Sequence, residues 1–378
     1  MVLNHIGSSH WWMKDMPSAD WLTHQGRFVA TEHFRTAISD PYASQEDKDN
    51  FTTGWFGEHM PDMNQRNPLV ATYQIQNTLW WIEYAGLAGL RVDTYGYSDT
   101  AFLAQWSRRV MQEYPDLNIV GEEWSTNPVV VSHWLRGKAN RDGHVSQAPG
   151  MMDFALHDTL RRALADDESR TTGFNEIYAA LVNDPLYPDP LQMVLFEGNH
   201  DVPRLFSVLH EDLALYKMAI AYVLTMRGTP QLYYGTELLM TSPKQSDDGA
   251  TRRDFPGGWP GDKVNGFSGA GLTQQQAEAQ AFVRRLVTWR KGEPAIHRGG
   301  LMHYAPQNGV YVYFRHDAQK KFMVVMNKNR DATPLRTLRF HEMLAGHSAG
   351  IDVISGRRFD LRQGLVLPAR SVLVLDVK

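Results

Sequence analysis

At 378 residues the chain is long enough for two or three domains, or for one barrel of about 250 residues with an appendage. Hydrophobic residues make up 43% and charged residues 21%, as in ordinary globular proteins, and a formal charge of −4 argues against nucleic acid or an anionic membrane surface as partner. The absence of cysteine excludes disulfides, thiolate metal sites and a cysteine nucleophile, and no run of about 18 apolar residues is present to span a membrane.

Met1-Val2-Leu3-Asn4-His5 is apolar with no basic residue before it, so it reads as the end of a buried strand and not as a signal peptide. Because a domain seldom begins in mid-strand, an upstream portion is expected. Residues 1–63 hold Trp, His, Asp and Gly with little periodicity, and are expected to form that strand remnant and a loop-rich excursion. Residues 64–297 alternate short apolar runs with helix-like stretches. A first helix is predicted from Asn67-Pro68, a polar cap with Pro at the first helical position, to a stop at Gly86. Then come a strand over Gly89–Asp93, a helix over Thr100–Glu113 and a strand over Asn118–Glu122. Met151–Phe154 is predicted as a third strand, followed by helices over His157–Asp166 and Asn175–Val182. Leu191–Glu197 is a fourth strand, Asp212–Met226 a helix and Pro230–Gly235 a fifth strand. A long helix opens at Thr273, with Gln276 as its capping-box partner, and runs to Lys291. Residues 298–378 change to strand-like runs, Val310–Phe314, Phe322–Met326 and Ser371–Leu375, parted by turns such as Asn308-Gly309; this predicts an antiparallel β domain, a small sandwich.

Strand–helix alternation at this spacing implies an α/β fold with a parallel sheet, either doubly wound or a (β/α)8 TIM-type barrel. The charges favour the barrel. Asp93, Glu122 and His200-Asp201 stand at strand ends, where barrel enzymes gather catalytic groups from several strands, and no Gly-rich phosphate loop follows the first strand. Three carboxylates in such positions suit glycoside hydrolysis, in which one attacks the anomeric carbon and another shuttles the proton. For retention the two carboxyls stand about 5–5.5 Å apart. Taken singly, each has a plainer reading: a strand-end Asp is commonly a helix cap, and His5 or His200 a satisfied structural histidine.

Six segments together resemble the α-amylase superfamily. Gly89-Leu-Arg91-Val-Asp93 resembles its nucleophile segment, Gly121-Glu122-Glu123-Trp124 its acid/base segment, and Phe196-Glu-Gly-Asn199-His200-Asp201 the segment ending in a transition-state-stabilising Asp. Val2-Leu3-Asn4-His5 is similar to the end of the segment at the family's third strand, Met60-Pro-Asp-Met-Asn64 to the neopullulanase and cyclomaltodextrinase signature, and Gly228–Gly235 to the eighth-strand segment. The resemblance implies a (β/α)8 barrel with a C-terminal β-sandwich. It also implies Asp93 as nucleophile, Glu122 as acid/base with a raised pKa, and Asp201 as stabilising acid. Arg91, His5, His200 and Arg204 would contact or support the sugar, with Trp124, Trp55 and Trp259 as stacking platforms and the loop Arg252–Trp259 rimming the cleft. Strand alternation sends Glu123 away from Glu122, and Glu122 alone fits the family spacing. The substrate would be an α-glucan oligosaccharide or polysaccharide. No cofactor is required by the chemistry, and Asn4 stands where the family can bind Ca2+.

The sequence departs from the family at its start, where an Asp and the first two strands, with most of the third, are absent. Oligomerisation, in the family, runs through that N-terminal region. The isolated chain is therefore expected to be inactive or weak. The competing readings are a transglycosylase or α-1,6-glucosidase of the same superfamily, or a non-catalytic glucan-binding relative; such relatives typically lack one of the three acids.

Overall fold

The computed structural model describes residues 1–245 and 247–378. The chain forms two compact units, one of residues 1–155 and 183–194 and the other of residues 156–182 and 195–378.

In the first unit the stretch before residue 64 is mostly loop with short 3-10 turns, plus helix α1 (Gln45–Thr53) capped by Ser44. Helix α2 (Pro68–Ala85) begins where the Asn67 side chain accepts the Leu69 N–H, and it ends at Gly86 in the left-handed conformation (φ 60°). One side of α2 buries Val70, Ala71, Ile75 and Ile82. The other leaves Leu69, Tyr73, Trp80, Trp81 and Tyr84 exposed, with the Trp80 and Tyr84 rings stacked at 4.7 Å. Strand β1 (Gly89–Val92) follows, then α3 (Thr100–Glu113), β2 (Asn118–Gly121) and the two-residue β3 (Gly150–Met151). Asp99 caps α3 by accepting from Phe102, and the helix buries Phe102, Leu103, Trp106 and Val110.

These strands pair in parallel in the order β1-β2-β3, and single parallel bridges extend the pattern from Val2 to Asp93 and from Met152 to Val194. Close packing demands a glycine at position 121. A Cβ there would lie 2.4 Å from the Met151 sulfur and 2.9 Å from the Tyr95 ring. The third strand is shorter than the apolar run Met151–Phe154 suggests, because Phe154 already opens helix α4 (Phe154–Ala165).

The second unit continues with α5 (Phe174–Ala180) and a two-stranded sheet of β4 (Val194–Phe196) and β5 (Thr229–Gln231). Between these strands lies α6 (Leu213–Thr225), capped by Asp212 and buried along almost its whole length. The fourth and fifth strands are also shorter than predicted, since Pro190–Gln192 is a 3-10 turn and Gly235 begins another. Helix α7 (Gln274–Arg290) carries the Thr273/Gln276 capping box.

The remainder is antiparallel. Strands β6 (Gly300–Gln307), β7 (Val310–His316) and β8 (Lys321–Asn327) come first, followed by β9 (Thr333–Leu335), β10 (Ala349–Asp352), β11 (Arg358–Asp360), β12 (Leu365–Leu367) and β13 (Ser371–Val377). They form a six-stranded sheet, β11-β10-β13-β8-β7-β6, and a two-stranded one, β12-β9. Both faces of the large sheet are covered, so its central strands show no polar alternation. Tyr311, Tyr313, Val324 and Met326 pack in one cluster with Met218, Ala219 and Tyr222 of α6. Val310, Val312, Phe314, Met323 and Val325 pack in another with Phe340, Leu365 and Leu367. Among the described residues no helix is long and apolar enough to cross a membrane, and no three His, Asp or Glu side chains group as a metal centre would require.

Candidate active site

Val92 and Gly121 are partners across the β1–β2 pair, so Asp93 and Glu122 occupy the next rung of two adjacent parallel strands. The ladder continues through them, the Glu122 N–H donating to the Val92 carbonyl at 2.9 Å and the Asp93 N–H to the Met1 carbonyl at 2.9 Å. Neighbouring strands run about 4.7–4.9 Å apart, which places the two side chains side by side. Arg91, two residues before Asp93 and therefore on the same face of the strand, joins them. Its guanidinium pairs with the Asp93 carboxylate and, at 2.7 Å, with Glu122. The second Glu122 oxygen accepts the Thr94 N–H at 2.9 Å. Thr94 is held at φ 44°, a left-handed conformation costing a non-glycine residue about 1–2 kcal/mol. Glu122 is only 6% exposed, whereas Asp93 and Arg91 keep part of their surface open to solvent.

His5 lies beside this pair. Burial lowers its pKa, the Asp93 charge acts in the opposite sense, and a neutral imidazole results at neutral pH. Asn4 is fully buried with no partner for its side-chain oxygen. Asp62, across an antiparallel bridge from His5, is also buried, with neither oxygen in a well-formed hydrogen bond. Burial pushes the Asp62 carboxyl well above the usual range, against the opposing pull of the Thr23 hydroxyl and Arg66.

Glu123 turns to a different set of groups. Trp134 donates its indole N–H to one oxygen at 3.1 Å and Arg35 donates to the other at 3.2 Å. Trp124 is 42% exposed and stacks on Phe154 with ring centres 5.2 Å apart, leaving one face open. Trp55, expected as a platform, is instead 3% exposed and set edge-on to Phe28, so it has no face to offer; Trp259 is exposed.

In the second unit the segment after β4 presents Asn199-His200-Asp201. The Asn199 side chain accepts the Asp201 N–H at 2.9 Å, fixing the turn. One Asp201 oxygen accepts from Arg252 at 2.8 Å and the other lies 3.2 Å from the His200 ring nitrogen Nε2. Arg204, read from the sequence as a support for the sugar, is 2% exposed. It donates to the Thr251 carbonyl at 2.8 and 3.0 Å and to the Tyr234 carbonyl, and its guanidinium lies 4.1 Å from the Tyr233 ring centre. Its donors are thus spent on main-chain oxygens. Any influence on a sugar runs through the loop Arg204 holds, not through contact.

Sequence reasoning did not single out Arg252 as the partner of Asp201, or Arg35 as that of Glu123. The first had a visible signal in the cluster Arg252-Arg253-Asp254. The second had none, because its partners stand 88 residues apart.

Residues 1–295 match the family model described as alpha amylase, catalytic domain, and residues 301–376 match the cyclo-malto-dextrinase C-terminal domain. A maltogenic alpha-amylase of Bacillus acidopullulyticus is 26% identical over 293 residues, covering 76% of this chain and 45% of the relative. Neopullulanase 2 of Thermoactinomyces vulgaris is 27% identical over 310 residues, covering 81% and 47%. The chain therefore spans about half the length of these relatives. An Anoxybacillus alpha-amylase structure matches with a TM-score of 0.80 at 19% identity, over 100% of this chain and 74% of the other. The alpha-amylase of Geobacillus thermoleovorans, complexed with acarbose, matches at 0.76 and 21% identity, over 100% and 76%. At these identities the structural likeness is one of fold: an α/β domain of the TIM-barrel class with a C-terminal antiparallel β domain.

Proposed function

Since the chain belongs to the alpha-amylase catalytic-domain family, we propose that it serves retaining hydrolysis of α-1,4-glucosidic bonds in maltooligosaccharides, cyclodextrins, pullulan or starch. One observation carries the reading: Asp93 and Glu122 stand on the same rung of adjacent strands, bridged by Arg91. Side-by-side carboxylates suit the roughly 5–5.5 Å separation of a double displacement, not the 6.5–9.5 Å needed to admit water in an inverting one. Asp93 attacks the anomeric carbon while Glu122 donates its proton to the departing glycosidic oxygen. The Glu122 carboxylate then takes a proton from water, which displaces Asp93 and restores the α-anomer.

Arg91 pairs with the Asp93 carboxylate and orients it, and His5 contacts the 6-hydroxyl side of the ring. Asp201 and His200 are assigned by their motif to gripping sugar hydroxyls, and Trp124 offers a stacking face. The working division is 1–63, 64–297 and 298–378. No cofactor enters the reaction. Asn4 and Asp62 would offer oxygens to Ca2+, which prefers six or more hard oxygen ligands, and the ion's contribution there would be structural.

Proton NMR of maltoheptaose hydrolysis is the test. The first-formed product should be the α-anomer, and turnover should be lost in Asp93→Asn. A β-anomer would overturn the reading, and glucan binding without turnover would favour a non-catalytic role.

A further inference from the structure

Glu123 follows the proposed acid/base, yet the hydrolysis scheme leaves it without a task. A buried carboxylate is an expensive group at a strand end where an apolar side chain would pack, unless its partners are built for it. Here they are. Trp134 and Arg35 take one oxygen each, and Gly96 leaves the room: a Cβ there would sit 2.0 Å from a Glu123 oxygen. Arg35 stands at the start of a 3-10 turn, Arg35–Ile38, two residues after His33 in the left-handed conformation (φ 59°). Its second terminal nitrogen donates to the Tyr97 hydroxyl at 3.1 Å, and that hydroxyl also lies 2.9 Å from the His33 Nδ1. The Phe56 ring fills the space beside them, 5.0 Å from both the His33 and Tyr97 rings and 6.2 Å from the ring of His5. One ion pair thus ties together three segments distant in sequence: the loop at 33–38, the turn after Asp93, and the strand end bearing Glu122.

We infer that Glu123 is a positioning residue, which through Arg35 and Tyr97 holds the 33–38 loop against the Glu122 strand end and so fixes the His33–Phe56–His5 wall of the site. The inference rests on the reading of Glu122 as acid/base. The charged or titratable groups facing Glu123 are Arg35, Glu122 and, through Arg35, Tyr97 and His33. Burial pushes the Tyr97 phenol up to about 12, and burial followed by Arg35 lowers the His33 pKa, so both are neutral near pH 7. Burial likewise brings Glu123 up to about 7 against the pull of Arg35, so its charge changes within the working pH range.

The test compares Glu123→Gln, Arg35→Met, the double variant and Arg35→Lys on maltoheptaose. Each single change should lower kcat/KM by about 10- to 100-fold, mostly through KM, and the double variant should be no worse than the poorer single. Arg35→Lys should recover part of the loss, and an inflection near pH 7 should vanish in Glu123→Gln. Chymotryptic cleavage after the exposed Phe34, which needs no turnover, should rise about 10-fold in both single variants. Additive losses, or unchanged KM and cleavage with only a lowered Tm, would make Glu123 a packing group. If the wild type shows no turnover while cleavage behaves as expected, the latch stands independently of the hydrolase reading.

Discussion

Arg91 and Arg315 are both strand cations, and they are used in opposite ways. Arg315, on β7, is fully buried and donates only to main-chain carbonyls: Gly299 at 2.9 Å, and Gly300 and Thr225 at 3.3 Å. Desolvation lowers its pKa to about 10, which still leaves it charged at neutral pH. Arg91 keeps a third of its side chain exposed and pairs with two carboxylates. Carbonyl oxygens cannot change charge, so an arginine fixed on them is scaffolding. Carboxylates can trade protons and attack carbon, so the arginine between them adjusts chemistry. Arg204, fixed on carbonyls too, falls on the scaffolding side of this divide.

The sharpest way to break the contrast is at the carboxylates. Glu122→Gln should lower kcat on maltoheptaose by about 10²–10⁴-fold, and Tm should move little because the amide preserves shape. A loss below tenfold would remove Glu122 from the proton-transfer role. Arg315→Met should do the reverse, destabilising the chain by about 1–3 kcal/mol in urea unfolding, since the buried Thr225 carbonyl loses its donor. Its kcat per folded molecule should be unchanged. Arg91→Lys keeps the charge but not the fork that spans two acids, and should lower kcat/KM by about 10- to 100-fold with a small change in Tm.

A smaller effect depends on pH, with a sign set by which way burial shifts each group. His157, in the second unit, is buried against Phe196 with ring centres 4.1 Å apart and donates to the Phe196 carbonyl at 2.9 Å; burial depresses its pKa to about 3. The unfolded chain therefore binds a proton that the folded one refuses between about pH 6.5 and 3, and stability falls as pH is lowered through that window. His144, in the first unit and lowered to about 4, acts with the same sign. Tm measured from pH 7 to 4 should decline less steeply in His157→Gln. Glu123 has the opposite sign. Its raised pKa favours the folded state most below about pH 4.5, an advantage lost as pH rises to about 7, so the Tm of Glu123→Gln relative to wild type should improve over that rise. The smallest effect concerns Asn4 and Asp62: millimolar Ca2+ should raise Tm slightly in the wild type and not in Asp62→Asn, as differential scanning fluorimetry would register.

Some helix ends were legible from a cap residue beside the helix. Asn67 with Pro68 and the Thr273/Gln276 box act as read, while Asp99 and Asp212 cap their helices without having been singled out in the sequence. Strand ends were less so, because Met151–Phe154 and Leu191–Glu197 are apolar in either state and only packing settles where pairing stops. Within the candidate site, Arg91 was legible as a neighbour of Asp93 because residues two apart share a strand face. The burial of Trp55 and Arg204 was not, since both read equally well as surface residues.

Signals that act over a few residues, such as caps, glycine turns and the Arg-x-Asp spacing, are written in local sequence, and with them the run of elements and the carboxylates at strand tips. Which charges meet was decided by the fold alone. The pairing of Arg91 with Glu122, of Arg35 with Glu123 and of Arg252 with Asp201 each joins segments far apart in the chain. The physical reason is that a charge in a partly dry interior is held by whichever partner the packing brings within about 3 Å, and sequence distance does not enter that energy.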